Sequence, residues 1–116
     1  MLAESSRAPR RAIRSVSERL RAALIVLADG QGEILSVSER AWASITFEGA
    51  RYTVAIAFEG DEAVDAGERF IAALPDHEFA IPGQLVAEAS VVEADHRLLP
   101  SPRLSVRCEL LLLRDA

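Results

Sequence analysis

Glu18-Arg19-Leu20-Arg21-Ala22-Ala23-Leu24 returns fifty residues later as Glu68-Arg69-Phe70-Ile71-Ala72-Ala73-Leu74. Each copy lies on an apolar stripe of helical period, and each is succeeded by two stretches that read as strands. The chain is therefore read as helix–strand–strand, twice. Two such halves close into one two-layer domain, because amphipathic helices need a sheet to cover.

Around the first copy, Ile13, Val16, Leu20, Ala23, Leu24 and Leu27 recur at steps of three and four, which defines one buried helical face. Pro9 suits a first helical turn, where its missing N–H costs nothing. Asp29-Gly30-Gln31-Gly32 ends the helix, with Gly30 able to take a left-handed cap. The expected helix spans residues 9–28. Glu33 to Val37 then reads as a short strand interrupted near Ser38-Glu39-Arg40, and the pattern leaves open whether it is separate. Ser36-Val37-Ser38-Glu39 has the spacing of a helix capping box, but no helical stripe comes after it. Trp42 to Phe47 and Arg51 to Phe58 alternate as strands do, with Glu48-Gly49-Ala50 as the expected hairpin connection.

The second half repeats the plan. Asp61 is the expected N-cap of a helix whose inner stripe is Val64, Gly67, Phe70, Ile71 and Leu74, and which Pro75 stops. Gly67 costs helix stability, so its expected use is close approach to the sheet. Strands are then expected at Gln84–Ala94 and Arg103–Leu113. In the last of these Leu104, Val106, Cys108, Leu110 and Leu112 point one way, until Leu110–Leu113 reads as buried on both faces. The expected fold is α+β, in α-β-β-α-β-β order. It is a two-layer sandwich: an antiparallel four-stranded sheet with two helices on one face. The same order results when the first strand of a ferredoxin-like βαββαβ domain moves to the chain end. Residues 1–8 are expected to be a loose N-terminal segment, and 9–116 a single domain.

Composition bounds the rest. A chain of 116 residues, half of them apolar, can build one core without disulfides or metals. The longest apolar run, Ala22 to Ala28, is far short of a membrane span of about 20 residues, and the start lacks the order of a secretory signal. Cys108 stands alone, which suits a small hydrophobe in a cytoplasmic, bacterial-type protein. Every basic residue is Arg, which reads as genomic base composition before function. Residues 1–21 carry six Arg against two Glu, a net of +4, and residues 22–116 a net of −9.

Three features are candidates for function. Arg7, Arg10, Arg11 and Arg14 crowd a helix start, where the dipole disfavours cations, and would suit an acidic partner. Nucleic acid is the weaker fit, because no aromatic residues interleave with these Arg for stacking. Next, the face of the sheet away from the helices carries Thr53, Ala55, Ala57, Leu111 and Leu113, with Trp42 and Val92. That is more apolar than a solvated face should be, and points to a homodimer. On this expectation Leu111→Arg loosens the dimer without unfolding the domain. Last, Arg40, Arg51 and Arg107 beside Trp42, with His96 nearby, would hold an anionic ligand if they converge. His77 and His96 lie in expected loops with no metal-ligand spacing, no serine sits in a nucleophile turn, and Gly30-Gln31-Gly32 lacks the context of a phosphate loop. Neither cofactor nor metal is expected. The residues read best as a non-enzymatic, homo-oligomeric binding or assembly module. The alternatives are a small-molecule-binding protein or enzyme with a pocket near Trp42, and a nucleic-acid or acidic-partner binder using the Arg-rich helix.

Overall fold

The computed structural model describes residues 15–115. Its elements run α1 (Val16–Leu27), β1 (Gly32–Ala43), β2 (Glu48–Glu59), α2 (Asp61–Ala73), a short 3-10 turn (Leu74–Asp76), β3 (Gln84–Arg97) and β4 (Arg103–Arg114). The four strands form one antiparallel sheet in the order β1-β2-β4-β3. Moving the first strand of a ferredoxin-like domain to the chain end yields this arrangement. Each half supplies one hairpin, and the second strands of the two hairpins meet at the centre.

Register accounts for the core. Tyr52, Val54, Ile56 and Phe58 of β2 stand opposite Leu110, Cys108, Val106 and Leu104 of β4, so all eight face one side. Leu20 and Leu24 of α1, Phe70 of α2 and Leu74 pack against that side, which puts both helices on it. The doubled motif lines up with this burial. Leu20 corresponds to Phe70 and Leu24 to Leu74, and none of the four has any exposed surface. Each such side chain contributes about 1.5–3 kcal/mol when removed from water.

Helix α1 starts later than its stripe suggests. Ser15 Oγ accepts from the Glu18 backbone N–H at 3.0 Å, and the Glu18 carboxylate accepts from the Ser15 N–H at 3.1 Å. This reciprocal capping box sets the first turn at Val16. The expected start at Pro9, and Ile13, lie outside the described residues. At the other end Asp29 N–H donates to Val26 O and Gly30 N–H to Ile25 O, a Schellman closure. Gly30 is left-handed as expected (φ 71°), but Asp29 takes that conformation before it (φ 58°). In α2 the cap is Gly60, at φ 94°, and not Asp61, which is the first helical residue.

The first hairpin departs furthest from the sequence reading. β1 is a single strand with no break at Ser38-Glu39-Arg40; its irregularity is a bulge at Leu35. The bulge lets Ile34 and Val37, three apart, face Ile56 and Val54 on the same side, which hides the period of two. The connection is Ser44–Phe47, closed by Ser44 N–H to Phe47 O (2.7 Å) and Phe47 N–H to Ser44 Oγ (3.1 Å). Glu48-Gly49-Ala50 therefore belongs to β2, and only Trp42 and Ala43 of the expected Trp42–Phe47 strand are extended. The pentapeptide Ser-Val-Ser-Glu-Arg occurs at 15–19, where it caps a helix, and at 36–40, where it is strand. Its surroundings decide: a helical stripe continues from the first copy, and pairing with β2 holds the second extended.

Gly67 lets α2 approach the sheet as expected. A Cβ there would lie 2.7 Å from Phe58 Cδ1 and 2.8 Å from Leu104 Cδ2. Phe58 is fully buried and tilted against Phe70 at 5.8 Å between centroids, so neither ring has room to yield. Gly67→Ala should therefore destabilise by about 1 kcal/mol, overpacking exceeding the gain in helix propensity. Urea unfolding measures this. Cys108 is fully buried, its Sγ 3.8 Å from Val54 O, and burial pushes its thiol up to about 12. Above the ordinary thiol value the unfolded chain releases this proton and the folded chain keeps it, so stability should fall from about pH 9 to about pH 12. An aromatic disulfide reagent at mildly alkaline pH should leave native Cys108 unmodified and label it once denaturant is added.

Candidate functional site

The sheet face away from the helices is crossed by rows of residues in register. One row reads Ser36, Ala55, Arg107, Glu93 from β1 to β3; the next reads Ser38, Thr53, Glu109, Ser90. Then come Arg40, Arg51, Leu111, Glu88 and, at the hairpin end, Trp42, Gly49, Leu113, Leu85. This face is chiefly polar and charged, not apolar. Arg107 pairs with Glu93, Arg103 with Glu59, and Arg51 with Glu88 at 3.3 Å.

This corrects the expected greasy face. Leu111 and Leu113 are only 5% and 6% exposed, and Ala57 is buried as well. Arg51 and Glu88 flank Leu111 in its own row, and their ion pair bridges the strand that carries it. An ion pair drawn across Leu111 in this way lets the methylene stems of both side chains lie over the leucine. Thr53 and Ala55 are half-buried, each with a serine on one side and a charged residue on the other. Trp42 and Val92 keep apolar surface, but they sit on opposite edge strands, Val92 at a bulge of β3. Exposed apolar side chains lie at both ends of the sheet, Leu98 and Leu99 in the β3–β4 connection and others in the turn after Trp42. Ile45 is fully exposed and Phe47 half exposed, with Leu85 at the end of the last row. The run Ile45-Thr46-Phe47 was legible as apolar, but its reading as strand hid that it is a turn.

The ligand candidates are only partly brought together. Arg40 and Arg51 are cross-strand neighbours, one row from Trp42. Arg107 lies two rows away, held by Glu93, and His96 is opposite Leu104 on the helix-bearing side. His77 meets Phe79 edge-on at 4.5 Å and lies apart from His96 in the chain. Among the described residues no group of three His, Cys, Asp or Glu is placed to hold a metal. Arg7, Arg10, Arg11 and Arg14 lie outside the described residues.

Three of the clefts on the described surface are lined by residues other than Trp42, Arg40, Arg51 and His96. One of about 380 Å³ lies at the start of α1, between Ser15, Glu39, Tyr52, Gln84 and Arg114. Burial pushes the Tyr52 hydroxyl above its ordinary pKa, Glu39 adds to this and Arg19 opposes it. A phenol held neutral in this way donates a hydrogen bond and supplies no base. A second cleft, about 280 Å³, sets Leu35 and Ala55 against Glu93, Asp95 and Arg107.

Because Leu111 is enclosed beside Arg51, Leu111→Arg should destabilise the fold by about 2–3 kcal/mol, through lost burial and a crowded charge. Denaturant titration distinguishes this from the loosened dimer that the sequence suggested.

No protein-family model matches the chain, and no curated protein matches it. Among solved structures it is similar to a chain of the virion of the native gene transfer agent (GTA) particle. That chain is 15% identical, with a TM-score of 0.59 over 85% of this chain and 92% of that one. It is also similar to the type 4 fimbrial biogenesis protein PilO from Pseudomonas aeruginosa, at 14% identity and a TM-score of 0.43, covering 97% and 78%. At 15% identity, what the chain shares with the virion chain is its fold.

Proposed function

We propose that this chain is a non-enzymatic module that associates with copies of itself and serves in assembly. The observation that carries the proposal is the apolar hairpin end of the sheet. Ile45 stands wholly in solvent, with Phe47 and Trp42 on the same hairpin, while three ion pairs cross the rest of the open face. Ile45, Phe47 and Leu85 gather exposed apolar surface at this end of the sheet, and contiguous apolar surface of this kind marks a contact site. The candidate ligand residues divide between two faces, and the one thiol is held protonated in the core. Neither supports a reaction centre. Likeness in fold to a chain of a virion particle is compatible with an assembly role.

Light scattering and sedimentation of the purified chain at micromolar concentration test the reading. The chain should run as a dimer or larger, and a strict monomer overturns the proposal. Ile45→Asp with Phe47→Asp should raise the dissociation constant at least about tenfold, since each removes apolar surface of about 1.5 kcal/mol or more. Thermal stability should be nearly unchanged, because both side chains lie outside the core.

A further inference from the structure

We infer that β1 is the strand through which two copies join, antiparallel across a two-fold axis at Ala41, to make one eight-stranded sheet. The inference rests on the self-association proposed above and names its geometry.

The sheet has two edges, and they differ. β3 is interrupted by register shifts at Ala87 and Val92 and carries Glu88, Glu93, Asp95 and Arg97. Bulges and charges of this kind blunt an edge against further pairing. β1 pairs with β2 alone, and from Ser36 to Ala43 it does so without irregularity. Eight residues of regular backbone thus present their outward N–H and C=O groups along one side.

Symmetry then limits the register to a few choices. A two-fold axis normal to the sheet keeps each residue on its own face, so the axis must pass through a residue position. An axis at Glu39 or Arg40 sets like charges directly opposite each other, which is unfavourable. An axis at Ser38 carries the pairing into the bulge at Leu35. At Ala41 the axis residue is small and exposed, Glu39 meets the partner's Ala43, and Arg40 meets the partner's Trp42 twice over. Arg40 suits that place: it is exposed, adjoins Arg51, and has no ion-pair partner among the described residues. A guanidinium over an indole face gains cation–π attraction. The same axis brings the fully exposed Ile45 towards the partner's Val37. Self-complementarity of this kind fits a second copy of the chain.

Disulfide trapping in the chain of 116 residues tests the geometry. Residues on such an axis have Cα atoms about 4.5–5.5 Å apart, within disulfide reach. Ala41→Cys should oxidise to a covalent dimer, while Glu33→Cys, beyond the Leu35 bulge, should not; buried Cys108 does not compete. Trp42 is the sole tryptophan, so its emission should shift to the red as the protein is diluted through dissociation. Arg40→Ala should raise the dissociation constant roughly 5- to 30-fold. If scattering reports an oligomer but Ala41→Cys fails to link, or Glu33→Cys links equally well, pairing through β1 is wrong and self-association stands. A native chain that stays monomeric overturns both.

Discussion

The pairing of β2 with β4 at one particular register is the constraint on which the rest of the structure depends. It puts Tyr52, Val54, Ile56 and Phe58 on the same side as Leu104, Val106, Cys108 and Leu110, and that side is the floor for both helices. A slip of one residue would turn either set outward and leave the helices without a surface to cover. Gly67 fits α2 over Phe58 and Leu104 only where those two side chains stand opposite each other. Cys108 belongs to the same constraint, as a small hydrophobe at the sheet centre.

Fold class and element order were legible because they rest on long periodic signals. The helical stripes of α1 and α2 and the alternation of β2 and β4 each persist over many residues, so no single local feature cancels them. The edge strands were less legible. In β1 and β3 the core-facing residues fall three apart where a bulge intervenes, as at Ile34 and Val37 or Val86 and Ala89. The sequence then shows no period of two, and breaks are sought in the wrong place. Ser-Val-Ser-Glu-Arg makes the same point at short range: five identical residues cap α1 in one position and extend β1 in the other.

The open face was the least legible part, for a physical reason. Whether Leu111 is exposed depends on Arg51 and Glu88, which reach it from two other strands sixty and twenty-three positions away in the chain. Alternation along β4 assigns the leucine to a face and is silent about what lies over it. Ion pairs on exposed surfaces contribute little stability by themselves. Here the pair of Arg51 and Glu88 spans Leu111, while exposed apolar side chains remain at the Trp42–Phe47 end and, at the other end of the sheet, at Leu98 and Leu99.

The two irregularities of β3 bear on how far an assembly of such sheets extends. A dimer closed across the opposite edge turns both β3 strands to the outside, each kinked and lined with charge. Growth strand by strand then has nowhere to continue, and the ribbon stops at two subunits instead of running on as a fibre. In the proposed pairing, one inviting margin and one forbidding margin would limit polymerisation without any added cap.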